Sequence, residues 1–251
     1  MKQSSVQVDL SGKTAVITGG GRGIGKAIAE YFAEAGAAVV VAARSAGETA
    51  AAAREITGRG GEASAVEADV TVNASVEALF RETEQRYGGV DIVVINAGGS
   101  TLINNLEACE PEAWKNIIDV NLLSVFYTAH AAIPYLKKRG GGKIIVTGSG
   151  AGFQVIKKSS AYSCAKAGLH AIVKTLAEEL VSGNISVNEI IPGPVNTGLF
   201  HAAQKAGDTY DPAGEWVKEP GEVARLALYL ASFPDNGPSG QTFSLRRRPL
   251  F

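Results

Sequence analysis

Apolar positions along this chain fall into two alternating patterns. Short, nearly unbroken apolar runs occupy residues 14–17, 38–42, 63–68, 90–95, 144–146, 185–191 and 240–245. Runs of this length, bounded by glycine or polar turns, read as strands buried on both faces. Between them, apolar residues recur every three or four positions, the spacing of one helix face. Ile28, Ala29, Phe32 and Ala33 form one such stripe, and Val76, Leu79, Phe80 and Thr83 form another. Further helices are predicted over 46–57, 73–87, 111–138, from Ser159 or Ser160 onward, and over 222–231. Seven strands alternating with helices imply an α/β fold of Rossmann-like, doubly wound type: a parallel sheet of about seven strands with helices on both faces. No linker, repeat or low-complexity block interrupts the pattern, so residues 1–251 read as one domain. Only 198–217 lose regular periodicity, and a substrate loop or lid is expected at about 196–218.

The polar residues that close the runs carry the chemistry. The first run ends in Thr18-Gly19-Gly20-Gly21-Arg22-Gly23-Ile24-Gly25 and leads directly into a helix and a second run. A strand, glycine turn, helix and strand is the setting of a dinucleotide site: Gly19, Gly23 and Gly25 permit a tight turn and let pyrophosphate approach the backbone at a helix N-terminus. The second run ends in Ala42-Ala43-Arg44-Ser45, without the acidic residue that would meet an adenosine ribose in an NAD site. Arg44 and Arg22 suit a 2′-phosphate instead, which favours NADP(H) over NAD(H). Asp69 and Val70 leave the third run, where Asp69 can accept from an adenine amino group or cap the next helix. Asn96, Ala97 and Gly98 close the fourth, with Asn96 expected to tie neighbouring strands together.

The fifth run stops at Thr147-Gly148-Ser149, and the following helix carries Tyr162 and Lys166 one turn apart on one face. A phenol beside an ammonium is a proton donor with a lowered pKa. Asn121, inside the apolar segment 111–138, needs a partner for its amide; it is read as holding a helix kink and a water, or as a satisfied core amide. Pro192-Gly193-Pro194-Val195-Asn196-Thr197 makes a rigid turn where a nicotinamide would lie. Val155, Lys157 and Lys158, between Ser149 and Tyr162, stand beside the expected substrate pocket, and either lysine can meet a carboxylate or phosphate there. His201 falls in the lid region and is a candidate substrate contact, whereas His130 and His170 read as structural.

Composition narrows the partners. With 24 basic and 25 acidic residues, the chain has no overall pull toward nucleic acid or acidic membranes. The dense basic cluster Arg246–Arg248 reads as a solvated tail or subunit contact. Cys109 and Cys164 have no metal-ligand spacing, no metal is implied, and Cys164 reads as a small packed residue. The N-terminal residues lack a signal-peptide apolar core, and no run reaches the ~18 apolar residues of a membrane span. A cytoplasmic location is the expectation.

Taken together, TGGGRGIG, Asp69-Val70, Asn96-Ala97-Gly98, Asn121, Ser149, Tyr162-x-x-x-Lys166 and PGPVNT make the chain resemble the short-chain dehydrogenase/reductase family, over residues 12–245. The resemblance implies that Tyr162 is the general acid or base and that Lys166 lowers its pKa and holds the nicotinamide ribose. It implies that Ser149 binds the reacting carbonyl and that Asn121 supports a relay water. It also implies cofactor contacts from Gly19, Gly21, Arg22, Gly23, Ile24, Gly25, Arg44, Asp69, Val70, Asn96, Ala97, Gly98, Pro192, Gly193, Val195 and Thr197, and a homotetramer packed through 111–138 and 161–181. The chain resembles the 3-oxoacyl-carrier-protein reductases, but Glu178 and Glu179 on the tyrosine helix oppose docking of an acidic carrier protein. The last strand lacks the Gly-Gly pair common in relatives and runs into Ser244-Leu245-Arg246-Arg247-Arg248-Pro249-Leu250-Phe251. Two other functions remain open at this point: an NAD-dependent alcohol or sugar dehydrogenase, and a cofactor-binding regulator without catalysis.

Overall fold

The structure is a computed structural model, and it describes residues 8–100, 104–154, 156–205 and 214–250. Among these, seven strands form one parallel sheet: β1 (Thr14–Thr18), β2 (Ala38–Ala43), β3 (Glu62–Glu67), β4 (Ile92–Ile95), β5 (Gly142–Thr147), β6 (Ile185–Ile191) and β7 (Thr242–Ser244). Their order in the sheet is β3-β2-β1-β4-β5-β6-β7. The chain first winds outward from β1 to β3, then crosses back to β4 and winds the other way. The crevice between the exits of β1 and β4 is therefore the topological switch point, where α/β sheets bind ligands.

Alternation along the central strands sorts side chains into two cores. Val16, Val93, Ile95, Ile144 and Val146 face one side, while Ala15, Ile17, Ile92, Val94 and Ile145 face the other. On the first side lie α3 (Asn73–Tyr87), α4 (Pro111–Ile118), α5 (Ser124–Lys138) and α6 (Ser160–Glu179), with Phe80, Leu136, Leu169 and Val173 buried among them. On the other side pack α1 (Gly23–Glu34), α2 (Ala46–Gly58) and α8 (Pro220–Ser232), through Ile28, Phe32, Ile56 and Val223. Phe32 and Phe80 are each completely buried, so truncation of either to alanine is worth ~3–5 kcal/mol.

The segment Pro111–Lys138 is one continuous helical run, long and apolar enough by length and composition to cross a membrane. Its Val125, Ala129, Ala132 and Leu136 are buried in the core beside the sheet. Residues Asp119–Leu123 within it form a π-helical bulge centred on Asn121, the kink expected from a buried asparagine in an apolar helix.

Two local expectations are corrected. Residues 198–205, read as irregular, form α7 (Gly198–Lys205). Thr197 starts it: its hydroxyl accepts from Phe200 N at 3.3 Å and its carbonyl from His201 N at 3.1 Å. Cys164 is exposed, because it falls off the buried stripe of Ala161, Ala165 and Leu169 on α6. The excursion that begins with α7 is pinned at its base by a bridge between Val195 and Lys218, with Asn196 N donating to Lys218 O at 2.7 Å.

Candidate active site

The exits of β1, β2, β4, β5 and β6 open into one cleft of about 640 Å³. At its base, glycine lets strand and helix approach closely. Gly19 and Gly23 have φ of 66° and 56°, the left-handed region that glycine enters without strain. A Cβ on Gly25 would stand 2.3 Å from Gly19 O and 2.6 Å from Asn96 Nδ2, so the residue has to be glycine for α1 to meet β1. The first turn of α1 has neither a side-chain cap nor an acidic residue. Its free amides face the loop, an arrangement that suits the pyrophosphate of a dinucleotide.

Asn96 fixes the crevice walls. Its amide donates to Thr18 O at 3.2 Å and Gly19 O at 3.3 Å, and its Oδ1 accepts from Thr147 Oγ1 at 3.2 Å. Three strand exits are tied by one side chain. Next to it, both amide hydrogens of Asn121 are used, to Gly99 O at 3.0 Å and Ile117 O at 2.9 Å, while its Oδ1 accepts from Gly99 N at 2.8 Å. Asn121 is fully buried, and its side chain locks the Gly98-Gly99 turn to the π bulge.

Ser149, Tyr162 and Lys166 meet at the centre. The Ser149 hydroxyl accepts from Ala151 N at 3.2 Å and is hydrogen-bonded to the Tyr162 phenol. Lys166 Nζ donates to Thr147 O at 2.9 Å and lies 5.7 Å from the centroid of the Tyr162 ring. The expected acidification of Tyr162 by Lys166 is not what this arrangement gives. Burial raises the phenol, and only the Ser149 hydrogen bond opposes it. Burial also brings Lys166 down to about 8, against the pull of the Glu189 carboxylate. The ammonium is directed at a carbonyl.

At the end of the cleft beside the exit of β2, Arg44, Ser45 and Val70 line it. Arg22 is four-fifths exposed and pairs with Glu48 at 3.2 Å. Glu48 lines the cleft as well, a carboxylate not anticipated because it stands on α2 rather than at the end of β2. Asp69 does not cap α3. Burial alone would raise it, but bonds from Thr71 N at 2.9 Å and Thr71 Oγ1 at 2.7 Å, together with the Arg44 charge, hold it below its usual value.

The cleft also takes in Gly21, Ile24, Ala97, Pro192, Gly193 and Thr197. Its apolar wall comes from Ile156 and from Leu199, Phe200 and Ala203 on α7. Lys157 and Lys158 are exposed on a turn and do not line it; Lys158 has φ of 63°. His201 turns away and pairs with Asn196 Oδ1 at 2.8 Å. Val155 lies outside the described residues. Conversely, Arg246 does line the cleft, with its side chain only 4% exposed, which corrects the reading of a solvated tail or subunit contact for that one residue of the cluster, Arg247 and Arg248 being exposed. The missing Gly-Gly pair at the end of β7 was the signal in the sequence that this strand exit is built differently.

The sequence profile of the short chain dehydrogenase family matches residues 13–207. An uncharacterised oxidoreductase of Staphylococcus aureus (strain MRSA252) is 36% identical over 225 residues, covering 90% of this chain and 93% of that protein. Another, from Staphylococcus saprophyticus, is 35% identical and covers 91% and 95%. Among solved structures, a short-chain type dehydrogenase/reductase from Mycobacterium marinum superimposes with a TM-score of 0.88 at 36% identity, covering 94% of each chain. A dehydrogenase/reductase from Sinorhizobium meliloti 1021 gives 0.85 at 32% identity, covering 95% of each. A glycine cradle at the switch point, a Ser-Tyr-Lys cluster at the exit of β5 and these likenesses along nearly the whole chain lead to one conclusion: the chain belongs to the short-chain dehydrogenase/reductase family and is an NAD(P)-dependent oxidoreductase.

Proposed function

We propose that the protein interconverts a ketone and a secondary alcohol, with NADP(H) preferred. The observation that carries this reading is the convergence of Ser149, Tyr162 and Lys166 on one wall of the cleft that also holds the glycine cradle. The bound nicotinamide supplies the hydride in reduction and accepts it in oxidation. Ser149, now bonded to the phenol, turns its hydroxyl to the substrate's carbonyl oxygen and stabilises charge developing there. Tyr162, kept protonated by its burial, delivers its proton to that same oxygen, and takes one back when the alcohol is oxidised. Lys166 would hold the nicotinamide ribose hydroxyls through the hydrogens not spent on Thr147 O. Asn121 keeps the Gly98-Gly99 turn in place, and the relay water assigned to it would be held by its main chain.

The preference for NADP(H) rests on Arg44 and Ser45 at the adenosine end, with Arg22 closing from the loop. One observation favours the NAD reading: Glu48 already engages Arg22 and offers a carboxylate near the ribose. Fluorescence titration separates the two. NADPH is expected to bind at least tenfold tighter than NADH, and Arg44→Ala to erase most of that margin; tighter binding of NADH would remove the role given to Arg44. Oxidation of a reduced cofactor on a panel of ketones tests the reaction itself, and no turnover on any of them, with cofactor binding intact, would favour a silent regulator.

The same proposal includes a cytoplasmic homotetramer. Leu123 and Phe126, on the bulge and the first turn of α5, are 37% and 51% exposed in the single chain and would be covered by a symmetry mate. The resemblance to 3-oxoacyl-carrier-protein reductases extends to the chemistry proposed here. It does not extend to carrier docking, since Glu178 and Glu179 are exposed on α6.

A further inference from the structure

Two residues past β7, the chain brings into the cleft a guanidinium that hydride and proton transfer do not use. Arg246 lies against glycines on both sides of the reacting centre. A Cβ on Gly150, next to Ser149, would stand 2.8 Å from Arg246 Nη1, and one on Gly193 would stand 3.1 Å from Arg246 Cγ. Glycine at both positions is what lets the side chain in. Nη2 faces Glu215 Oε1 at 3.4 Å, but Nη1 is buried without a hydrogen-bond partner among the described residues. A charged donor held this way is costly unless something completes it.

The surroundings are cationic. Lys218 is fully buried, with Nζ donating to Trp216 O at 2.6 Å and standing within the influence of both Glu215 and Arg246. Arg248 Nε lies 3.9 Å from the same Glu215 carboxylate. Glu215, fully buried, thus answers three cations, and Glu222 acts on Lys218 as well. The tail is also fastened over the cleft: Gln154 Nε2 donates to Pro249 O at 3.3 Å, and Arg247 N to Glu215 Oε2 at 3.1 Å. The two lysines that the sequence offered for a substrate anion stand outside.

We propose that Arg246 anchors a carboxylate on the substrate, so that the enzyme acts on short oxo acids and the corresponding hydroxy acids. This rests on the oxidoreductase reading for the reaction but not for the anion site. With Nη2 bonded to Glu215, the buried and unpaired Nη1 is the group left to meet an anion, and a planar carboxylate asks for fewer donors than a phosphate dianion. Arg246 lies against Gly150, the residue that follows Ser149, so a carboxylate held there would sit beside the segment that carries Ser149. The remaining apolar part of the substrate rests on Ile156, Leu199 and Phe200.

The test pairs binding with turnover. Calorimetry on the wild-type protein compares pentanoate with pentanamide, which need no chemistry, and steady-state kinetics compare 3-oxobutanoate with 3-oxobutanamide. The acid is expected to be favoured at least tenfold in each pair. Arg246→Gln is expected to bring both ratios near one, Arg246→Lys to keep part of them, and Arg247→Gln, whose side chain is exposed, to leave them unchanged. If neither oxo compound is turned over but pentanoate binding still depends on Arg246, the anion site stands and the reaction reading falls. No acid preference in the wild type overturns the proposal even if Arg246→Gln does not fold. So does equal loss of acid and amide in a folded Arg246→Gln protein, as does inorganic phosphate binding more tightly than pentanoate.

Discussion

At Lys166 packing and charge conflict. Its pKa stands at about 8 when folded, against 10.5 for the free side chain, because burial penalises the ammonium. Between those two values the unfolded chain binds more protons than the folded one, so this group's contribution to stability grows as pH rises from about 8 to 10.5. Below about 8 the folded protein carries a buried charge. Lys166→Met is therefore expected to exceed the wild type in melting temperature at neutral pH, and the gap is expected to narrow toward pH 10.5. Parallel melting curves across that range would show that Lys166 is not the strained group. At this scale the sequence was most legible where spacing alone defines a face: Tyr162 and Lys166 are one turn apart wherever a helix forms. Arg246, Glu48 and Glu215 were not legible, because strand order and chain reversal bring them to the cleft and no local spacing records that. The sign of the Tyr162 shift escaped for a related reason, since it depends on burial and on where the lysine points.

At the scale of elements, periodicity identified the seven strands and the helices of both faces, with ends displaced by a residue or two. β4 begins at Ile92 rather than at residue 90, and β7 spans only Thr242–Ser244. α7 was missed because eight residues framed by glycine, proline and asparagine leave too short a repeat to reveal a face. Its start depends on one side chain, Thr197, whose position after the proline turn becomes meaningful only once that turn is built. The π bulge was half legible: a buried asparagine demanded a partner, and the partner proved to be the Gly99 backbone. Leu123 and Phe126 next to that bulge are exposed in the single chain and would be covered in the proposed tetramer. Sedimentation is expected to show a tetramer at micromolar concentration, and Phe126→Glu a smaller species; a wild-type monomer would contradict this assembly.

For the whole molecule, the sheet order explains why a dozen residues distant in sequence act at one place. Winding outward from β1 in both directions leaves the exits of β1 and β4 uncovered, and the glycine loop, Asn96 and Thr147 close around that gap. The two cores hold the strands rigid while α7, the proline turn and the C-terminal tail are added at the exits. Reaction class follows from the rigid part, and substrate choice from the added parts, which is why the sequence spoke clearly about the first and faintly about the second. The central claim is that Tyr162 transfers the proton that accompanies hydride transfer. Its most direct test is kcat/KM for NADPH-dependent reduction of a ketone by the wild type and by Tyr162→Phe. A fall of ~10²–10⁴-fold is expected, with NADPH affinity changed by no more than about threefold, since the phenol oxygen is lost but the cradle is untouched. A Tyr162→Phe protein that reduces the ketone at the wild-type rate would contradict the account.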